Sequence, residues 1–182
     1  MEAFWQEIAP CEHVVQIYAR EVDLLDALEG FVAVGLSGDE AAIVIATPAH
    51  LGDLERRLRQ RGVDVEAAVG DKRYIARPAD EILDRFMVDG WPDAAQFQVT
   101  IQEILQAARG PQNRKIRAFG EMVAILWSRG QVAATLQLEA LWSGMTRTHC
   151  FPLFCAYPSG VFTRNAAESV ACIRQIHTKV VA

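Results

Sequence analysis

No run of this chain is apolar for long enough to cross a membrane, which takes about 20 residues. The opening stretch, MEAFWQEIAPCEH, holds Glu2, Glu7 and Glu12 and lacks both a basic block and an apolar block, so no secretory leader is expected and a cytoplasmic protein is. Basic charge is in the minority, 18 Lys and Arg against 23 Asp and Glu. That balance argues against a nucleic-acid partner, whose affinity comes mainly from phosphate neutralisation. Cysteine is scarce: Cys11, Cys150, Cys155 and Cys172, with no CxxC pair. In a reducing compartment such residues are expected to be free, mostly buried thiols. The short-spaced ligand candidates, Cys11 with His13 and His149 with Cys150, fall short of a structural zinc pattern, so neither metal nor cofactor is expected. Repeats, low-complexity tracts and Pro/Ser-rich linkers are absent too, which leaves one domain over residues 1–182, with 1–12 as an N-terminal extension and 163–182 as a C-terminal helix.

A further absence concerns phosphate. Ala42-Ile43-Val44-Ile45-Ala46 reads as a buried strand and passes at Thr47-Pro48 into an amphipathic helix. A Walker A loop at that junction needs glycines, inward backbone N–H groups, a lysine and a magnesium-binding hydroxyl. The junction is Thr47-Pro48-Ala49-His50, without glycine or lysine. Thr47 and Pro48 instead suit a helix cap and first helical position, and a capped helix start still offers partial positive charge to a ligand.

What is present is an alternation of strand and helix patterns. Strands are predicted at His13–Tyr18, over 42–46, at Arg73–Ala76, at Lys115–Phe119 and at Phe151–Tyr157. Between them lie helices marked by Leu24, Leu25, Leu28, Phe31 and Val32; by Leu51, Leu54 and Leu58; by Ile82, Leu83, Phe86 and Met87, from Pro78 to Asp89-Gly90; and by Phe97, Ile101, Ile104 and Leu105. MVAILW and the stripe Leu138, Leu141, Trp142 and Met145 mark two more. No clean two-residue hairpin signal is read. The pattern predicts βαβ units in an α/β fold of three layers, a mainly parallel sheet with helices on both faces.

In such a sheet ligands bind beyond the strand carboxyl ends. That rule nominates Tyr18, Thr47 with His50, Glu121 and Tyr157 as the lining, with Arg117 behind them. Glu121 opens a nearly apolar helix, where the helix dipole favours a carboxylate and a pocket could use it. Trp142 and Glu139 lie three apart on one helix, Trp142 reading as core, and Cys155 reads as a buried structural thiol. No nucleophile–base–acid set is supported, so the protein is not expected to be an enzyme.

The segments HVVQIY, GLSGDEAAIVIATPAHL, DEILDRFMVDGWPD, IRAFGEMVAILW, LEALW and FCAYP together resemble the MEDS domain, a sensory domain named for methanogens, methylotrophs and a dichloromethane-responsive regulator. The resemblance spans about His13 to Phe162. It implies a RecA-like fold with a degraded phosphate loop and the sensing of small molecules, possible hydrocarbon derivatives among them. It also implies output through a histidine kinase or a transcriptional regulator. No kinase, phosphoacceptor or helix-turn-helix pattern is seen here, so output through a partner protein or self-association is expected. The alternatives are a nucleotide-binding RecA-like protein and a ligand-free interaction module.

Overall fold

The computed structural model describes residues 2–163 and 166–181. A short helix α1 (Glu2–Gln6) precedes β1 (His13–Tyr18), α2 (Glu21–Ser37), β2 (Ala41–Ala46), α3 (Pro48–Gln60), α4 (Val65–Gly70), β3 (Tyr74–Pro78) and α5 (Ala79–Leu83). The two-residue strands β4 (Met87–Val88) and β5 (Trp91–Pro92) follow, then α6 (Ala94–Arg109), β6 (Ile116–Gly120), α7 (Met122–Ser128) and α8 (Val132–His149). The chain closes with β7 (Leu153–Pro158), a 3-10 turn (Ser159–Val161), α9 (Ala166–Ile176) and β8 (Lys179–Val181).

Six strands form one sheet in the order β3-β2-β6-β7-β1-β8, and every pairing in it is parallel. The strand period of two splits its side chains between two cores. Ile43, Ile45, Ala118, Leu153, Cys155 and Tyr157 face α5 to α9. Ala42, Val44, Phe119, Phe154 and Ala156 face α1 to α4. Because both faces are covered, β2 is buried at every residue, which is why it reads as an unbroken apolar run rather than an alternation. The fold is thus the expected three-layer α/β arrangement. Trp5, from the N-terminal extension, is fully buried against Phe31 and Phe154.

Three expectations are corrected. The helix predicted from Pro78 to Asp89 ends at Leu83, and Met87–Val88 pairs antiparallel with Trp91–Pro92. Asp89 and Gly90 between them have φ of 50° and 78°, the left-handed pair that a two-residue hairpin turn demands. Helix α4, capped by Asp64 on the N–H of Ala67, adds an element between α3 and β3 where none is predicted. The C-terminal segment is not all helix: α9 stops at Ile176, and β8 adds a sixth strand beside β1. Finally, Cys11 and Cys150 are joined in a disulfide, leaving only Cys155 and Cys172 as thiols. That bond also removes Cys11 and Cys150 from the zinc-ligand pairs considered above.

No helix among the described residues is long and apolar enough to cross a membrane.

Candidate functional site

From β2 the chain moves outward to β3, whereas from the neighbouring β6 it moves the other way to β7. The carboxyl ends of β2 and β6 therefore flank a topological switch point, where open α/β sheets hold their ligands. Thr47 leaves β2 there and Glu121 leaves β6, tied together by the Glu121 N–H donating to the Ile45 carbonyl at 2.9 Å. The Thr47 hydroxyl accepts from the His50 N–H at 3.3 Å and caps α3, with Pro48 in its first turn.

The Thr47 N–H, at the start of α3, donates to Glu121 Oε2 at 2.9 Å. The other carboxylate oxygen, Oε1, is 2.7 Å from His50 Nδ1. On the far side of the ring, His50 Nε2 meets Glu21 Oε2 at 2.9 Å. One buried imidazole thus sits between two carboxylates. The pKa of His50 is raised to about 9, chiefly by Glu121, with burial opposing and Glu21 adding to the effect. Tyr18, buried beside this group, has its phenol pushed up by burial and by the two carboxylates. Tyr18, Thr47, His50 and Glu121 are therefore brought together.

Arg117 is not part of this group. As the second residue of β6 it points toward the opposite end of the sheet, where Nε donates to Glu40 Oε2 at 2.6 Å and Nη1 to the Phe31 carbonyl at 2.7 Å. Its guanidinium lies 5.0 Å from the Phe31 ring, an arrangement of stacked and paired arginine that stabilises a buried charge. Gly35 makes room for it, since a Cβ there would stand 2.4 Å from Arg117 Nε. Tyr157 is fully buried on the other face of the sheet and donates to Glu139 Oε1 at 2.5 Å. It also packs edge-on to Trp127 and against Phe162.

Trp127 opens onto space. A cleft of about 480 Å³ lies between the end of α7 and the turn after β7, lined by Trp127, Ser128, Val132, Val161, Thr163 and Ser169, among others. Around His50 the switch point is lined by buried side chains, those of Tyr18, His50 and Glu121. The Trp127 cleft lies at the far end of the helix that Glu121 begins, and another of about 440 Å³ lies beside Arg117 and Glu40.

The model of one protein family, described as the MEthanogen/methylotroph, DcmR Sensory domain (MEDS), matches residues 12–177. The chain belongs to the MEDS family. No curated protein matches it. The MEDS match runs past Phe162, where the resemblance in the sequence was placed, and takes in α9 and His177.

The structure also gathers a set that sequence reasoning did not assemble. His13, Glu139, Cys155 and His177 are all buried and meet between β1, β7, α8 and the turn before β8. The readable signal was Glu139, a carboxylate within a stripe that otherwise buries Thr135, Leu138, Trp142 and Met145.

Proposed function

We propose that this MEDS domain is a non-catalytic receptor for a small, mostly apolar molecule, acting through a partner such as a histidine kinase or transcriptional regulator, or through self-association. The observation that carries the reading is the Glu121 carboxylate on the Thr47 N–H. In phosphate-binding relatives of this architecture, the helix N-terminus after the strand receives the anion. Here the protein supplies its own anion, and a second carboxylate, Glu21, stands beyond His50. A nucleotide phosphate would meet repulsion and no lysine, which fits a RecA-like ancestry with the phosphate loop lost.

The cleft beside Trp127 suits a ligand with an apolar body and one polar group. Trp127, Val132 and Val161 supply apolar wall, and Ser128, Thr163 and Ser169 supply hydroxyls. Sensing requires that the ligand favour one conformation, since only differential affinity shifts a population. Helix α7 is the element both regions share: Glu121 immediately precedes it at the switch point and Trp127 lies in its last turn at the cleft.

The test is a titration with short-chain alcohols and haloalkanes followed in amide and indole NMR spectra, the Trp127 signal being assigned with Trp127→Phe. Saturable shifts at Trp127 and Val161 are expected. Shifts confined to surfaces remote from the cleft, or none at any residue, would remove the receptor reading. The absence of any binding would favour the interaction module.

A further inference from the structure

We propose that His13, Glu139, Cys155 and His177 form a four-ligand site for a divalent, borderline-soft metal ion of the zinc class.

Parallel pairing creates the juxtaposition. His13 opens β1 in register with Leu153 of β7, and Cys155 lies two residues further along that strand on the same face. Glu139 descends from the inner face of α8, and His177 follows the end of α9. One donor atom from each of the four lies within 4.8 Å of the other three. Three separations are tighter: His13 Nε2 to Glu139 Oε2 at 3.3 Å, His13 Nε2 to Cys155 Sγ at 3.4 Å and His177 Nε2 to Glu139 Oε2 at 3.6 Å. Tetrahedral zinc with its usual bond lengths holds its ligand atoms roughly 3.3–3.7 Å apart.

The outward contacts orient the donors inward. His177 Nδ1 is 2.7 Å from the Ile173 carbonyl. A carbonyl can only accept, so Nδ1 carries the proton and, in the neutral ring, Nε2 presents a lone pair to the cluster. His13 Nδ1 is 3.1 Å from the Ser143 hydroxyl, one turn beyond Glu139 on α8. Tyr157 holds the outer oxygen of Glu139. Metal-binding histidines and carboxylates are held by outer partners of this kind.

Inward, His13 Nε2 and Cys155 Sγ share a hydrogen bond, but the other two atoms are left unsatisfied. Glu139 Oε2 and His177 Nε2 are buried without a hydrogen-bond partner, an acceptor facing an acceptor inside the protein, which is costly. A proton on Glu139 does not cure it, because 3.6 Å is too long for a hydrogen bond. A cation between them does. A neutral imidazole is the form that binds a metal through nitrogen, and both rings are buried where an unpaired charge would be costly. When the ion binds, the Cys155 thiol proton and any proton on Glu139 leave to solvent. The thiolate and carboxylate then balance a charge of 2+. Two imidazoles and a thiolate select zinc, or cobalt in its place, over magnesium and calcium, which prefer oxygen.

All four coordination positions would come from protein, the arrangement of a closed structural site. Its effect would be to bind the α9–β8 segment, through His177, to strands β1 and β7.

The experiment uses the full chain, purified without reductant so that Cys11–Cys150 stays paired, stripped with a chelator and reconstituted with cobalt(II). The expected result is one equivalent bound, with the intense visible bands of a tetrahedral ion and thiolate-to-cobalt charge transfer in the near ultraviolet. Cys155→Ser should lose the charge-transfer band, and Cys172→Ser should keep it. His177→Gln should weaken zinc binding at least about tenfold in competition with a chromophoric chelator. Should the folded wild-type chain bind well under one equivalent, or give the weak spectrum of six-coordinate cobalt, the proposal is overturned. A charge-transfer band that survives Cys155→Ser would overturn it equally.

Discussion

Glu121 and Thr47, 74 residues apart in sequence, meet at 2.9 Å where a carboxylate oxygen accepts the N–H of Thr47, the residue that caps α3. The contact joins two strand ends at the switch point, and Glu121 is simultaneously the partner of His50. Replacing Glu121 with Ala leaves that N–H and one side of a buried imidazole without a partner. Loss of one member of a buried pair costs about 3–5 kcal/mol; a loss near the lower figure is expected, because Glu21 still faces His50. Glu121→Gln retains an acceptor and should cost less. Urea unfolding of the three proteins measures both differences.

The imidazole of His50 carries a pH signature. Its pKa is raised to about 9 in the folded chain, against about 6.5 when unfolded. A raised pKa means that the protonated ring stabilises the fold. That contribution is complete below about pH 6.5, declines as pH rises toward 9 and is gone above it. NMR titration of the ring should report the high value, and Glu121→Gln should bring it down toward the ordinary one. A ring titrating near 6.5 in the wild type would contradict the ion-pair geometry.

Arg117 and Gly35 offer a steric test. Alanine at 35 would place its Cβ against the Arg117 side chain, which is fixed by Glu40 and by the Phe31 carbonyl. Neither the helix backbone nor the buried guanidinium can yield cheaply, so Gly35→Ala should destabilise by about 1–3 kcal/mol, as overpacking does. Gly52, with open space around it, is the control: Gly52→Ala in the helix should be neutral or slightly stabilising. Thermal unfolding of the two variants distinguishes them.

Cys11 and Cys150 close a loop with a sequence separation of 139. Such a cross-link restricts the unfolded chain and stabilises by roughly 4–5 kcal/mol in the chain-entropy account. Denatured without reductant, the protein should show two reactive thiols, from Cys155 and Cys172. Reduction should raise that number to four and lower the unfolding midpoint. Four thiols before reduction would mean that the bond is not formed.

Much of the architecture was legible because burial on both faces of a parallel sheet makes strands such as β2 continuously apolar, and because α2, α3 and α6 repeat their apolar residues at helical spacing. The hairpin was not read because Ile82, Leu83, Phe86 and Met87 also fit a helix, masking the Asp89-Gly90 turn between two strands only two residues long. Strand β8 is three residues and has no period to detect. At the site, Tyr18, Thr47, His50 and Glu121 could be grouped because all follow strand ends, a property of topology. Arg117 and Tyr157 could not be separated from them without knowing which end and which face each side chain takes. His13, Glu139, Cys155 and His177 escaped for a related reason: their proximity comes from strand order, and no short spacing in the sequence encodes it.

The central claim is that this MEDS domain responds to a small apolar molecule and has given up nucleotide. A thermal-shift comparison of the purified chain tests it most directly, with Mg-ATP and ADP set against a panel of small apolar and halogenated metabolites. A ligand that binds only the folded state must raise the unfolding midpoint. The account predicts a concentration-dependent rise with at least one small molecule and none with either nucleotide. A rise with Mg-ATP would contradict it, because Glu121 could not then be occupying the phosphate position.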